Sequence, residues 1–373
     1  MKIRVRRLLS VFAAVIAILV IGVYAFLHTP LFGRLPDGER LSRIERSPNY
    51  AGGEFHNEIA TPLHTAGSSE LSIWMDKFFG EKGKPRPSTV MPSVKTDLKA
   101  LDVNQDLVIW LGHSSYFVQL AGKRILIDPV FSANAAPIPL ANVAFEGTSL
   151  YSADDVPQVD VLLITHDHYD HLDYPTITAL RSKVNQVVTG LGVGAHFEAW
   201  GYAKTQISEA DWYDAVSIGR DLTVYVTPAR HFSGRTFTRD KSLWVGYALV
   251  SAQRRIFFSG DTGYDTHFSV VGRRYGPFDW VALDTGQYDP RWANVHMNPE
   301  QAVQAAEDLR TKAFTPGHVG RFSIAPHDWD DPFKRVTAAS QGRDYVLWTP
   351  IIGRPLYLDG RSQTFERWWE TLR

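Results

Sequence analysis

A dense group of histidines and carboxylates follows an apolar run near the middle of the chain. Residues 161–164 (Val-Leu-Leu-Ile) are typical of a buried strand. The next residues hold three imidazoles and two carboxylates within six positions: His166, Asp167, His168, Asp170 and His171. Burying these groups without partners would be costly, and a solvated histidine-rich loop is the alternative. Because the chain turns at a strand end, positions 166, 168, 170 and 171 can converge. The pattern therefore predicts a strand end that presents a metal site.

Cysteine is absent from the 373 residues, whereas histidine occurs 13 times. This excludes a disulfide framework, a cysteine nucleophile, a thiolate metal site and an anchor built on a lipidated cysteine. Nitrogen and oxygen must therefore bind any metal, and imidazole with carboxylate suits Zn²⁺ better than iron or manganese. Lysine and arginine number 39 against 40 acidic residues, a net charge of −1. This balance argues against nucleic acid as the main partner.

Residues 8–27 carry no charge and follow a basic N-terminus. Twenty residues at helical rise span about 30 Å, the thickness of the hydrocarbon core of a bilayer. A cleaved signal peptide is the competing interpretation, with a weak cleavage site at residues 23–25, but the apolar run exceeds the usual length of about 7–15 residues. We therefore expect an uncleaved membrane anchor over residues 1–27. Basic residues before this span outnumber the single Arg34 after it, which predicts a cytoplasmic N-terminus and a body on the non-cytoplasmic side, periplasmic in a Gram-negative bacterium.

The rest of the chain changes character along its length. Residues 28–100 read as a polar lead-in with turn signals and one predicted helix, Glu70–Phe79, which we expect to pack on the body. Residues 101–350 form the predicted main domain, and residues 351–373 a C-terminal segment. Strands are predicted at residues 106–111, 116–120, 124–127, 159–165, 222–227, 243–251, 255–259, 280–283 and 345–348, and helices at 176–182, 194–200 and 299–309. Because helices are interleaved with more numerous strands, the body is predicted to be a layered α/β domain.

Three further candidate ligands lie close behind other apolar runs. His231 follows the strand predicted at residues 222–227, Asp261 follows residues 256–259, and His318 follows residues 313–317. Each histidine taken alone is typical of a surface or a hydrogen-bonded core residue. All three candidates nevertheless share one position, the end of an apolar run beside Gly or Pro, where a sheet presents functional loops.

These residues resemble the metallo-β-lactamase fold superfamily, through the motif His166-x-His168-x-Asp170-His171 followed by His231, Asp261 and His318. Within it, the chain is similar to the N-acyl phosphatidylethanolamine-hydrolysing phospholipase D family. The matching stretches are residues 110–115 (WLGHSS), 128–132 (DPVFS), 166–174, 260–264 (GDTGY), 274–279 (RYGPFD) and 288–292 (YDPRW). The resemblance covers residues 100–335 of the chain. It implies an αββα sandwich, which in this chain carries an N-terminal membrane helix.

The resemblance also implies a centre that holds two zinc ions per chain. One zinc would be held by His166, His168 and His231, the other by Asp170, His171 and His318, with Asp261 bridging them. The attacking group would be a metal-bridging hydroxide, with Asp170 and His296 as catalytic residues. No protein nucleophile is then required, which agrees with the absence of cysteine and of a G-x-S-x-G motif.

Tyr169 and His296 are the predicted substrate-binding residues. In the resembled family the matching tyrosine contacts substrate, and the matching histidine lies near the substrate phosphate. There His296 would orient the phosphate or protonate a leaving group. The alternatives are packing for Tyr169 and, for His296, a place at the start of the helix that begins at Pro299.

Four other polar residues are weighed against structural roles. His113 is expected to hydrogen-bond within the scaffold. Asp128 is a candidate partner for a ligand imidazole, with a role in the turn before Pro129 as the alternative. His327 and Asp284 receive no role beyond an exposed or structural one.

Three hypotheses for function follow from these observations. The favoured one is a zinc-dependent phosphodiesterase of phospholipase D type, which releases an N-acylethanolamine-like product and phosphatidic acid. The second is a hydrolase of the same fold acting on a lactone, another ester or a β-lactam. The third is a non-catalytic, membrane-tethered binding protein, which predicts lost ligands, whereas all seven ligand positions are filled.

Two stretches bear on the substrate and the partners. Residues 283–287 (LDTGQ) differ from the more apolar pattern of the resembled family. The loop at residues 135–141 is apolar and uncharged, either a membrane-facing surface or a lid packed on the body. The expected partners are a lipid or small ester substrate and a membrane reached through the N-terminal helix, with no nucleic acid. The resemblance also allows a homodimer.

Overall fold

The computed structural model describes residues 2–80 and 83–372. The helices are α1 (Lys2–Leu27), α2 (Gly38–Ile44), α3 (Glu70–Phe79), α4 (Tyr174–Leu180), α5 (Gly194–Ala199), α6 (His267–Tyr275), α7 (Pro299–Asp308) and α8 (Asp331–Ala339). The helix predicted at Glu70–Phe79 is present, and Ser69 caps its first turn by accepting a hydrogen bond from the backbone N–H of Ser72.

The strands form one short hairpin and two sheets of seven strands. They are β1 (Tyr50–Ala51), β2 (Glu54–Phe55), β3 (Leu107–Gly112), β4 (Ser115–Leu120), β5 (Lys123–Ile127), β6 (Val159–Ile164), β7 (Val184–Gly190), β8 (Ile207–Ala210), β9 (Ala215–Ile218), β10 (Leu222–Thr227), β11 (Gly246–Ser251), β12 (Arg255–Phe258), β13 (Trp280–Asp284), β14 (Ala313–Gly317), β15 (Val346–Leu347) and β16 (Pro355–Tyr357). The first sheet has the order β16-β3-β4-β5-β6-β7-β8, and the second β15-β14-β13-β12-β11-β10-β9.

The two sheets pack face to face, with helices on both outer faces. Successive residues of a strand point to opposite faces, so Leu163 of β6 joins the core between the sheets, whereas Leu162 packs against α4 and α5. On the second sheet, Phe258 points into the same central core, whereas Phe257 packs against α6, α7 and α8. The predicted αββα sandwich is therefore confirmed.

Strand direction brings the candidate ligands to one edge of the sandwich. Strands β5 to β8 are parallel, and so are β12 to β15. Strand β4 pairs antiparallel with both β3 and β5, so β3 runs in the same direction as β5. Strand β11 likewise pairs antiparallel with both β10 and β12, so β10 runs in the same direction as β12. The C-terminal ends of β3, β5, β6, β10, β12, β13 and β14 therefore lie at the same edge, where the polar residues gather.

The lead-in contacts the body at several places. Ile44, Phe55 and Met91 are buried in the central core. Arg40 forms ion pairs with Glu209 at 2.7 Å and Glu198 at 3.0 Å. At the other end of the chain, β16 pairs antiparallel with β3, so the C-terminal segment contributes an edge strand to the first sheet.

Helix α1 is apolar and exposed. Residues 7–27 have a mean hydropathy of 2.7 and are not buried against the body. This segment is long and apolar enough to cross a membrane. A signal sequence would have the same length and composition. The chain beyond α1 is fixed at once: Trp200 Nε1 donates to the Pro30 carbonyl at 2.8 Å, and the backbone N–H of Arg34 donates to His196 Nδ1 at 3.0 Å.

Candidate metal centre

Four side chains from three segments converge at one point of the shared edge. His168 Nδ1 lies 2.9 Å from His166 Nε2 and 3.3 Å from His231 Nε2. Asp261 Oδ2 lies 3.8 Å from the Nε2 atoms of both His166 and His231. The ligand atoms of this group all lie within 4.8 Å of one another. Three imidazole nitrogens so close together form a natural pocket for a cation.

A second group lies on the other side of Asp261. Asp261 Oδ1 is 3.1 Å from His171 Nε2 and 3.0 Å from His318 Nδ1. Asp170 Oδ2 is 3.6 Å from His171 Nε2 and 3.0 Å from His113 Nε2. The structure thus brings together all seven predicted ligands, with Asp261 facing both groups. It adds His113, which contacts a predicted ligand directly.

Burial sets the protonation of this cluster. It lowers the pKa values of His166, His231 and His318 well below the usual imidazole value, so these rings are neutral and keep the lone pair that binds a metal. Burial alone would raise the pKa of Asp261, but the neighbouring His171 outweighs it and holds that pKa well below its usual range. Three imidazoles of the centre are therefore neutral, whereas the carboxylates of Asp261, Asp170 and Asp128 outweigh burial and raise the pKa of His171 well above the usual imidazole value.

The donor set fits two metal ions. The buried atoms His171 Nε2 and Asp261 Oδ1 have no hydrogen-bond partner within residues 2–80 and 83–372, although buried polar groups normally have one. A cation between them would satisfy both. Nitrogen and carboxylate donors without sulfur match the preference of zinc. Zinc bound here would supply Lewis acidity and lower the pKa of a water molecule.

Asp128 supports the second group from behind. Its Oδ2 accepts a hydrogen bond from His171 Nδ1 at 2.8 Å, and its two oxygens accept from Thr165 N–H and Oγ1–H at 2.8 and 2.6 Å. The carboxylate thereby fixes the ring so that Nε2 faces Asp261. Asp128, His113 and His318 have φ values of 42°, 56° and 59°. Such left-handed backbone is uncommon outside glycine and clusters at functional sites.

Replacing Asp128 with alanine is expected to lower metal affinity and hydrolysis by about 10–100-fold, because His171 loses the acceptor that orients it. D128N is the matched control, since asparagine tolerates positive φ and keeps an oxygen that accepts from Nδ1. Metal titration by calorimetry and a hydrolysis assay measure both effects. Unchanged metal affinity in D128A would contradict this role for Asp128.

His296 lies beside the centre and lines a cavity of about 300 Å³. Its ring is parallel to that of His318, with centroids 5.1 Å apart, and 5.0 Å from that of His231. Its Nδ1 donates to Asp284 Oδ2 at 2.9 Å. Sequence reasoning left Asp284 without a functional role, yet it ends an apolar run as Asp261 and His166 do.

The lead-in supplies part of the cavity wall, which the sequence does not predict. Leu63, His64, Glu70 and Ile73 line the cavity together with Phe232, Arg239, Gln287, Trp292, Val295, His296 and Ile324. The lead-in also reaches a predicted ligand: Asn57 Nδ2 donates to the His231 carbonyl at 2.8 Å, and its Oδ1 accepts from the His231 N–H at 3.0 Å. The lead-in is therefore part of the site.

The structure does not bring Tyr169 to the cavity beside His296. The Arg235 guanidinium lies 4.1 Å from the Tyr169 ring centroid, and the Tyr169 hydroxyl donates to the Arg235 carbonyl. The ring lines a second cavity of about 140 Å³, together with Leu31 and part of the loop at residues 135–141. Its role in substrate binding stays a prediction. His327, also unassigned from the sequence, accepts a hydrogen bond from the Gln287 N–H at 2.9 Å.

Arg235 joins the metal-binding loop to the chain that follows α1. This buried side chain donates to the carbonyls of Asp167 at 2.8 Å, Leu172 at 2.7 Å and Leu31 at 2.7 Å. R235M should lower the free energy of unfolding by roughly 3 kcal/mol, because three carbonyls lose a charged donor. R239M is the matched control, since the exposed Arg239–Glu70 pair contributes at most about 1 kcal/mol. Thermal unfolding of the full chain in detergent measures both, and equal small losses would contradict the prediction.

The fold and the site together define a class, the metallo-β-lactamase superfamily. A sequence profile described as a beta-lactamase superfamily domain matches residues 123–319, over half of the chain, so the chain belongs to this superfamily. An uncharacterized protein of Mycobacterium tuberculosis is 35% identical over 329 residues, which cover 87% of this chain and 88% of that protein. The N-acyl-phosphatidylethanolamine-hydrolyzing phospholipase D 1 of Caenorhabditis elegans is 30% identical over 233 residues, which cover 59% of this chain and 65% of that protein.

Solved structures agree on the fold. A metallo hydrolase from the archaeon Ignicoccus hospitalis matches with a TM-score of 0.50 at 21% identity, covering 68% of this chain and 97% of that one. The family profile and the relative in Caenorhabditis elegans, together with this shared fold, confirm the resemblance that the sequence motifs indicate. The chain is a metallo-hydrolase of the β-lactamase superfamily.

Proposed function

We propose that this metallo-hydrolase is a two-zinc phosphodiesterase of phospholipase D type that acts on N-acyl phosphatidylethanolamine-like lipids. The observation that supports it most is the cavity beside the metal centre. Six of the eleven residues that line it are apolar, from Leu63 and Ile73 of the lead-in to Trp292 and Ile324 of the body. Apolar walls with a few polar groups suit a lipid chain attached to a polar headgroup. The similarity to the enzyme of Caenorhabditis elegans supports the same substrate class.

Different residues of the chain have different roles in the proposed reaction. The apolar wall holds the acyl chain of the substrate beside the metal centre. His296 borders the cavity, so it would meet the phosphodiester of a substrate bound there, where an imidazole orients the phosphate or gives a proton to the leaving alcohol. Asp170 and His171 belong to the centre itself, as ligands. Zinc, when bound, supplies the Lewis acidity that stabilises developing negative charge on oxygen.

Membrane attachment through α1 fits a lipid substrate, and we propose that α1 is an uncleaved anchor with the body on the non-cytoplasmic side. A homodimer remains a prediction from the resemblance. Nucleic acid is not proposed as a partner, given the net charge of −1.

Product analysis tests the proposed substrate. Full-chain protein in detergent micelles, loaded with zinc, is incubated with N-acyl phosphatidylethanolamine, with a panel of lactones and with β-lactams. We expect release of phosphatidic acid and an N-acylethanolamine, detected by mass spectrometry. Release of neither product, together with opening of a lactone or β-lactam ring, would replace the phosphodiesterase with the second hypothesis.

A further inference from the structure

Asp284 lies at the edge where the metal centre forms, although it is not among the predicted ligands. It is the last residue of β13 and is 2% exposed. Its Oδ2 accepts from the backbone N–H of Thr262 at 3.0 Å and from His296 Nδ1 at 2.9 Å, whereas its Oδ1 has no partner in the described part of the chain. Burying a carboxylate is costly unless donors compensate it, so these two donors hold it in place.

His296 stands between this carboxylate and the cavity. Its ring is held parallel to that of His318, with 8° between the planes, and it lines the 300 Å³ cavity while Asp284 does not. Because Nδ1 is engaged by Asp284, Nε2 is the nitrogen left to meet a molecule in the cavity. The hydrogen bond at one imidazole nitrogen determines which nitrogen carries the proton.

We propose that Asp284 is a positioning residue that fixes the tautomer and ring orientation of His296, so that Nε2 is presented to the substrate. This inference rests on the proposed function, because it takes His296 to contact the substrate of the hydrolysis. Holding a reacting group in a fixed geometry lowers the entropic part of the barrier. Asp284 therefore acts through His296, without touching the substrate itself.

A purely structural role for Asp284 makes a different prediction. The Thr262 N–H that it binds is next to Asp261 in the chain, so loss of Asp284 could instead displace that ligand. In that case D284A would lose metal, and its effect would persist when His296 is absent. A double-mutant cycle separates the two roles, because residues that act through one another are not additive.

The experiment compares the full-chain, zinc-loaded wild type with D284A, H296A, the double variant and D284N. We expect D284A to lower kcat by about 10–100-fold, with KM within about threefold of wild type and unchanged metal content. The double variant should be no slower than H296A. D284N should recover most of kcat, because its amide oxygen still accepts from His296 Nδ1 and Thr262 N–H. Loss of metal in D284A would overturn the proposal. So would a double variant whose kcat lies below that of H296A by the same factor by which the kcat of D284A lies below that of the wild type.

Nitrogen-15 NMR of the histidine side chains gives a readout independent of substrate. The His296 signals, assigned by their absence in H296A, should show a protonated Nδ1 in the wild type and a mixture of tautomers in D284A. The same tautomer in both proteins would overturn the proposal. If the wild type releases no N-acylethanolamine, the proposed substrate fails, while the NMR comparison still tests the contact between Asp284 and His296. The kinetic cycle is then run on whichever ester the wild type hydrolyses.

Discussion

Removing metal from the protein is expected to abolish hydrolysis and to lower the midpoint of thermal unfolding. His168 Nδ1 lies 2.9 Å from His166 Nε2 and 3.3 Å from His231 Nε2, and Asp261 Oδ1 lacks a hydrogen bond in the described residues. A ligand that binds only the native state stabilises it by about 2.7 kcal/mol at a hundred times its dissociation constant. For a chain of this size that corresponds to a shift of roughly 3–4 °C.

The measurement is dialysis of the full chain against a chelator, followed by a hydrolysis assay, differential scanning calorimetry and metal analysis. Adding back Zn²⁺ should restore both the rate and the unfolding midpoint, whereas Mg²⁺ serves as the control because it prefers oxygen donors in octahedral geometry. Full activity in protein that holds less than about one-tenth of a metal ion per chain would refute a metal-dependent reaction.

Replacing Asp261 with asparagine is expected to have the second largest effect. Asp261 faces both groups of the centre, with Oδ1 near His171 and His318 and Oδ2 near His166 and His231. Asparagine keeps the size of the side chain but removes the negative charge that two cations would share. Loss of a residue that only supports a metal ligand lowers metal affinity or activity by about 10–100-fold. D261N, which alters a ligand itself, should therefore lose at least about 100-fold in activity and bind less metal.

D279N is the matched control for this variant. Asp279 precedes β13, at the opposite edge of the same sheet, where it pairs with Lys312 at 2.8 Å. Asparagine keeps an oxygen that can accept from the Arg255 N–H, which Asp279 Oδ2 binds at 2.9 Å, so this replacement far from the centre should leave the metal content unchanged and the rate within about twofold. Metal analysis and steady-state kinetics of both variants decide the matter. If D261N keeps two metal ions and the wild-type rate, Asp261 does not bridge the centre.

The parts of the fold that the sequence predicts are those with a strong local pattern. The run Val161-Leu162-Leu163-Ile164 lies in β6, and the helix at Glu70–Phe79 has the predicted ends. Strands β8 and β9 are four residues long and half-exposed, which is too short for a hydrophobic pattern to distinguish a strand from a loop. Strand β16 is three residues long and exists because it pairs with β3, a contact between distant parts of the chain.

The candidate site shows the same division. His231, Asp261 and His318 could be found because each follows an apolar run, and a strand end is a local feature. The wall of the cavity could not be predicted, since Ile73 and Trp292 line the same cavity only because the lead-in packs on the body. The orientation of Tyr169 depends on Arg235, 66 residues later in the chain. Asp284 lies at the end of an apolar run, as Asp261 does. Only its contact with His296, which the structure shows, distinguishes it from a structural residue.

The connection between α1 and the body is short. Helix α1 ends at Leu27, and the Pro30 carbonyl is already bound by Trp200. Three extended residues reach about 10 Å at most, so the body cannot swing away from the helix as a domain on a flexible tether would. With α1 in a bilayer, the centre would stay at one height above it. Lipid substrate would then reach the centre by lateral diffusion in the bilayer. The surface density of substrate, more than its bulk concentration, would set the rate.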